Sequence, residues 1–442
     1  MNLNLRTLSI VLFVVLLALL MVVIIDAEAQ GRKPNIILIM ADDLGYETLE
    51  CNGGKSYRTP NLNAMARSGM RFENVHATPL CTPSRVQLMT GKYNFRNYVG
   101  FGILDPSELT FAHLLKDAGY VTGITGKWQL LGLKEEQDAV GGRRGSYPFE
   151  AGFDEYCLWQ VEERLSRYKD PVITTNGNRQ VEMKGAYGPD VFSSFAKDFI
   201  ERHRDESFFL YYPMVLVHDP FQPTPENPAY HDMPADSKGD PRYFGEMVSY
   251  MDKIVGELIK KVKEAGIADN TLIIFVGDNG TSNEITSRLN DRMVQGGKSG
   301  HRYNATHVPM IALWQGVIAP GAINTNLIDF TDFLPTFLDL AEVSKPRYFF
   351  ADGVSFYNQL KGKPNPAVRE WVFCSYDPKR GKRIPGTWIH DKEWKLYQTG
   401  EFYHLAKDPD EKNPLTADRM DAAATHARTR LERAMHEVLS KR

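Results

Sequence analysis

The sequence predicts an α/β protein: a large, doubly wound, mostly parallel sheet with helices on both faces, followed by a small C-terminal antiparallel sheet and helix. Three observations predict it. Four short apolar runs each end abruptly in polar residues, amphipathic stretches with helical spacing lie between them, and past about Pro366 the chain changes to short aromatic segments divided by turn residues.

Residues 35–41 run into Asp42-Asp43, 120–125 into Gly126-Lys127, 208–217 into His218, and 271–277 into Asp278-Asn279. Their length and β-branched content fit strands covered on both faces, as in parallel sheets. Residues 189–202 place Phe192, Phe195, Ala196, Phe199 and Ile200 on one stripe, and 244–265 do the same with Met247, Met251, Ile254, Val255, Leu258 and Val262 before Gly266 stops the helix. In such a sheet ligands gather at the carboxyl ends of the strands, where all four polar endings fall. One polar ending is an ordinary strand exit; four with complementary chemistry point to a site. Residues 371–376, 386–390 and 394–397 then read as short antiparallel strands, with a charged helix from about Thr416. The expected division is a leader over 1–29, the main α/β domain over 30–366 and a small α+β subdomain over 367–442.

At 442 residues, 43% hydrophobic and 24% charged, the chain has an ordinary globular composition and room for one large domain with an appendage. A net charge of −3 gives no footprint for nucleic acid, so affinity for an anion has to come from a local cluster of cations. Cys51, Cys81, Cys157 and Cys374 are too few for a disulfide scaffold; Cys157 and Cys374 are expected as free or buried thiols. Arg6, the apolar run 10–25 and the small residues Ala27 and Ala29 describe a secretory signal. The run is long for a cleaved signal, so an uncleaved anchor is the second reading; export to the periplasm or beyond is common to both, and membrane attachment follows only if the segment stays.

The most specific stretch is Cys81-Thr82-Pro83-Ser84-Arg85, continued by Leu88, Thr90 and Gly91. Thr82 is expected to cap a helix, Pro83 to occupy its first position and Gly91 to end it. Cys81 then lies at a helix N-terminus, which favours an anion, and Arg85 can hold an oxyanion bidentately from one turn away. A buried cysteine before an ordinary helix does not account for Cys, Pro and Arg occurring together with the four strand ends.

This segment closely resembles the signature of the formylglycine-dependent sulfatases, Cys-x-Pro-Ser-Arg followed by Leu-x-Thr-Gly, within the alkaline phosphatase-like superfamily. The resemblance runs from Lys33 to about Leu405, through Pro34-Asn35, Asp42-Asp43-x-Gly45, residues 59–62, Gly126-Lys127-Trp128 and Gly277-Asp278-Asn279-Gly280. It implies that a maturase oxidises Cys81 to formylglycine, whose hydrated aldehyde is the nucleophile. It also implies that Asp42, Asp43, Asp278 and Asn279, with modified residue 81, ligate one calcium ion. Four oxygen-bearing side chains suit a hard cation, although the sequence does not separate calcium from magnesium. Taken singly, Asp42-Asp43 also reads as an Asx turn and Asp278-Asn279-Gly280 as a tight turn.

By the same resemblance Lys127 and Lys298 hold sulfate oxygens beside Arg85, and His218 protonates the leaving alcohol or steadies the ester oxygen. Around Lys298 the chain departs from the pattern, with Tyr303, Asn304 and Ala305 where members usually show Glu-Gly-Gly. The implied mechanism is in-line attack on sulfur with cationic stabilisation of the sulfuryl oxygens, then release of sulfate in a second step. A sharper departure is Gln129, which replaces the histidine that members usually carry after Gly-Lys-Trp. That histidine commonly takes the diol proton that expels sulfate, and a carboxamide cannot accept a proton at neutral pH.

The expected substrate is a sulfated small molecule or glycan, with a carbohydrate sulfate preferred. Gln129, His301 and Arg302 are candidate substrate contacts, and the basic run 379–383 reads either as a surface for a polyanionic glycan or as a solvated loop. Two other readings remain: a phosphonate monoester or phosphodiester hydrolase on the same fold, and a slow-turnover protein that binds sulfated glycans, for which Gln129 is the support. A di-zinc phosphatase would need Asp-His where this chain has Asp278-Asn279.

Overall fold

The computed structural model describes residues 32–344 and 349–441, so the leader and its apolar run lie outside the described residues. Strand β1 (Asn35–Ala41, NIILIMA) is buried along its whole length and organises the molecule. Its side chains alternate between two cores. Ile36, Leu38 and Met40 join one with residues from the helices Cys81–Thr90, Phe111–Asp117 and Phe333–Leu340. Ile37, Ile39 and Ala41 join the other with residues from the helices Pro60–Ser68, Gly188–Arg202 and Phe244–Glu264. A strand apolar on both faces needs cover on both, and this one has it.

Around β1 run β2 (Met70–His76), β3 (Val121–Lys127), β4 (Glu155–Trp159), β5 (Val172–Thr175), β6 (Arg179–Glu182), β7 (Phe208–Pro213) and β8 (Thr271–Gly277). After the two-stranded ribbon β9 (Thr286–Leu289) and β10 (Arg292–Gln295) come β11 (His307–Leu313) and β12 (Ala322–Asp329). The large sheet has the order β12-β2-β11-β8-β1-β7-β3-β4-β5-β6. Its centre, from β8 through β1, β7 and β3 to β4, is parallel, whereas β11, β5 and β6 pair antiparallel with their neighbours. The parallel registers Ala41↔Gly277 and Met40↔Pro213 bring three carboxyl ends level, so the residues that follow each strand meet at one edge.

A separate antiparallel sheet comprises β13 (Val372–Tyr376), β14 (Gly386–His390), β15 (Trp394–Tyr397) and β16 (Phe402–His404). The helix Ala422–Leu439 covers it through Ala427, Leu431 and Met435. This helix starts later than the expected Thr416, at a point where Asp421 caps it by accepting from Ala424 N. The expected strand 208–217 stops at Pro213, which has no N–H to continue a ladder; Met214–Val217 instead form the loop that carries His218 to the site. All four cysteines are free thiols, Cys157 and Cys374 among the buried ones. Among the described residues no helix is long and apolar enough to cross a membrane.

Candidate active site

Cys81 is the first residue of the helix Cys81–Thr90, one position earlier than Thr82 capping would give. Leu80 occupies the cap without a side-chain hydrogen bond, and Thr82 Oγ1 accepts from Gly102 N at 3.2 Å instead. At the other end Gly91 adopts the left-handed conformation (φ 67°) expected of a helix stop. Every residue of this helix is buried, so its N-terminus is fixed against the sheet edge.

The strand ends converge on that point. Asp42 N donates to Leu216 O at 2.8 Å, Val217 N to Asp42 O at 2.8 Å and Asp278 N to Ala41 O at 3.0 Å, which locks the three exits together. Lys127 Nζ lies 2.7 Å from Asp42 Oδ2, and Arg85 Nη1 donates to the Lys127 carbonyl at 3.1 Å while Nη2 lies 3.5 Å from Asp278 Oδ2. Lys298 Nζ pairs with Asp43 Oδ2 and stands 3.0 Å from His218 Nε2. Asn279 Nδ2 donates to Asp43 Oδ1 at 2.9 Å, and Asp43 N donates to Asp278 Oδ1 at 2.9 Å. Gln129 Oε1 accepts from Cys81 Sγ at 3.4 Å.

Asp43, Gln129, Gln160 and Ser299 hold left-handed backbone (φ 60°, 59°, 57° and 64°) at this one locality. Such conformations cost non-glycine residues about 1–3 kcal/mol each and cluster at functional sites. Glycine meets the requirement at 126, where φ is 116° and a Cβ would fall 2.0 Å from Pro213 O. Only a glycine lets β3 pass this close to the β7 exit and present Lys127.

The charges are crowded and dry. Burial alone would raise the Asp42 pKa, but Lys127, His218, Arg85 and Lys298 reverse this and hold the carboxyl well below its usual range. Burial, followed by neighbouring Asp42, pushes Asp278 up against the pull of Arg85. The chain's own cations therefore do not fully satisfy its carboxylates. Two buried oxygens, Asp42 Oδ1 and Asn279 Oδ1, have no hydrogen-bond partner, and Asp42, Asp43 and His218 present ligand atoms within 4.8 Å of one another. Unpaired buried oxygens beside carboxylates are what a metal ion would satisfy.

His218 has the opposite problem. Burial lowers its pKa, with Asp43 opposing and Lys298 assisting. Its Nδ1 faces the Asp219 carbonyl at 2.7 Å and Asp219 Oδ1 at 3.0 Å, which assigns the proton to Nδ1 and turns Nε2 towards Lys298. Asp219 is held well below the usual carboxylate range, first by its hydrogen bond to His218. Sequence reasoning left Asp219 without a role, although its position beside His218 was a signal. Tyr168 was missed with no such signal: its single hydroxyl proton is shared between the carbonyls of Val215 and His218, from a loop that carries no motif.

Two further candidates lie apart from this cluster. His301 Nε2 donates to the Ile384 carbonyl at 2.9 Å, so its ring is engaged with the β13–β14 loop. Arg302 lines a different cavity, of 310 Å³, with Tyr46, His307, Lys392 and Asp410.

Comparison with known proteins decides the family. A profile for Sulfatase matches residues 34–343, and one for the N-sulphoglucosamine sulphohydrolase C-terminal region matches 301–440. The chain belongs to the sulfatase family. As a sulfatase it is a sulfuric ester hydrolase, and the geometry above is the sheet edge on which that chemistry is to be sought. Human arylsulfatase A is 30% identical, with 80% of this chain and 73% of that protein aligned. Human N-acetylgalactosamine-6-sulfatase is 29% identical, over 88% of this chain and 83% of its own length. The crystal structure of Ps i-CgsB superposes with a TM-score of 0.74 at 26% identity, covering 91% of this sulfatase and 92% of that chain.

Proposed function

We propose that this sulfatase removes sulfate from a carbohydrate ester, with residue 81 matured from cysteine to formylglycine and one calcium ion held by Asp42, Asp43, Asp278 and Asn279. The observation that carries the reading is the placement of Cys81 at a buried helix N-terminus beside Arg85, Lys127 and Lys298, against a carboxylate cluster with unpaired oxygens. When present, the aldehyde hydrate at 81 would supply the hydroxyl that attacks sulfur, and the metal would add positive charge beside it.

The chain's own residues do the rest. Lys127 and Lys298 are engaged with Asp42 and Asp43, the same carboxylates that suit a cation. A divalent ion on those carboxylates would free both ammonium groups to bind sulfuryl oxygens alongside Arg85. Three fixed cations aimed at oxygens that gain charge in the transition state are worth more in a dry site than in water. His218, anchored through Nδ1 on Asp219 with Nε2 beside Lys298, is the residue this reading assigns to the leaving ester oxygen. The carbohydrate assignment is supported by relatives such as the human N-acetylgalactosamine-6-sulfatase. Export through the leader would suit a glycan found outside the cell. Sulfate release from a panel of sulfated sugars, set against phosphonate and phosphodiester cleavage, tests the function: preference for a phosphorus ester would overturn it.

A further inference from the structure

The loop between β13 and β14 crosses the mouth of the site and is pinned on both sides. On one side Tyr98 OH donates to the Pro378 carbonyl at 3.1 Å, and Lys379 Nζ donates to the Val99 carbonyl at 3.1 Å. On the other, Arg383 Nε donates to Ser299 Oγ at 3.0 Å and His301 holds the Ile384 carbonyl. Ser299 follows Lys298 directly, and a cavity of 520 Å³ beside Lys298 is lined by Asp219, Glu284, Lys382 and Arg383. The loop therefore belongs to the entrance of the site.

Arg380 lies between the two pins. Its guanidinium stacks over Phe101 at 3.6 Å from the ring centroid, and Phe101 packs in one apolar cluster with Leu80, Cys81 and Tyr376. Among the described residues neither Arg380 nor Arg383 forms an ion pair with a carboxylate. Glu136, the acid near Arg380, is already taken by Arg164 at 3.1 Å and by Leu133 N at 2.9 Å. Burial lowers the Arg380 pKa against the opposing influence of Cys81 and Glu136. An aromatic face attracts a cation but leaves the five N–H donors of a guanidinium unmet. A half-buried, immobilised arginine of this kind is suited to a bidentate oxyanion.

We propose that Arg380, with Arg383 on the same loop, forms a second anion subsite, and that the substrate is a glycan carrying a second acidic group, sulfate or carboxylate, close to the scissile sulfate. This rests on the carbohydrate sulfatase reading above and adds the charge of the neighbouring sugar position.

The test uses the full chain with Cys81→Ala, so that binding is read without turnover. Three synthetic disaccharides are titrated calorimetrically: one with a single sulfate, one with two sulfates, and one with a sulfate and a uronate carboxylate. A charge-assisted bidentate contact predicts that at least one doubly anionic ligand binds about tenfold or more tighter than the single sulfate. Arg380→Gln, added to the same protein, should remove most of that advantage, and Arg383→Gln provides a second variant should the first fail to fold. Which ligand gains identifies the second group as sulfate or carboxylate. Equal affinity for all three ligands, or an advantage that survives both substitutions, would overturn the subsite. If the matured enzyme releases sulfate from none of the three while the binding preference holds, the carbohydrate reading falls and the subsite stands.

Discussion

Gln129 Oε1 accepts a hydrogen bond from the Cys81 thiol at 3.4 Å. The carboxamide thus occupies the position next to residue 81 from which a base would act, yet it has no proton affinity to offer at neutral pH. In the proposed mechanism attack on sulfur uses Arg85, the lysines and residue 81 once matured, whereas the second half-reaction lacks its usual base. General-base assistance is worth about 100- to 10,000-fold, so sulfate release should be the slow step. Rapid mixing with a chromogenic sulfate ester is expected to give a burst of alcohol near one equivalent and then a slow steady state. Gln129→His should raise the steady rate more than the burst, and histidine tolerates the left-handed backbone at 129 (φ 59°) better than most residues. Fast linear turnover without a burst would mean that another group already serves as base.

The carboxylate cluster predicts a metal-dependent fold as well as a metal-dependent reaction. A cation that binds only the native state stabilises it by about 2.7 kcal/mol at a hundredfold excess over its dissociation constant. Chelation should therefore lower the melting temperature and stop turnover, and calcium should restore both. Asp278→Asn should weaken the thermal response to calcium. A chelated protein that melts unchanged, with no metal on elemental analysis, would remove calcium from the account.

A second buried cluster predicts acid sensitivity away from the site. His76, His307 and His390 lie with Tyr46 and Tyr303 in ring contact between the large and small sheets, and Lys395 is nearby. Burial lowers the pKa of all three, to about 4 for His307 and about 3 for His390. The unfolded chain takes up these protons near pH 6.5, whereas the folded chain does so only well below it. Stability is therefore full above about pH 6.5 and falls as the pH drops below that value, by about 2 kcal/mol at pH 5 for each of His307 and His390, with His76 acting in the same direction. Urea unfolding with saturating calcium at pH 7.5 and pH 5 measures the loss. His390→Phe should reduce it, and an unchanged pH dependence would exclude that residue as a source.

The four strand endings were legible because each joins a hydrophobic run to a polar residue, a contrast the chain cannot hide in one dimension. Levelness of those ends was not; it depends on the register Ala41↔Gly277 and Met40↔Pro213, which only pairing fixes. The expected cap at Thr82 failed because tertiary packing began the helix at Cys81 and turned the Thr82 hydroxyl to Gly102. Arg302 and His301 are adjacent in sequence, yet the chain turns between them and sends Arg302 to another cavity. Tyr168 carries no local pattern, and Arg380 was legible only as one residue of the basic run 379–383, which the sequence also allows as a solvated loop. Each is defined by what it touches across more than forty residues of chain, Tyr168 the carbonyls of Val215 and His218, Arg380 the ring of Phe101.

In the proposed mechanism residue 81 performs the chemistry as an aldehyde and not as a thiol. Protein co-expressed with a formylglycine-generating maturase should be assayed for sulfate release while the peptide containing residue 81 is quantified by mass spectrometry. Specific activity should rise in proportion to the aldehyde fraction and vanish in Cys81→Ala. Full activity from protein carrying only the thiol at residue 81 would contradict that mechanism.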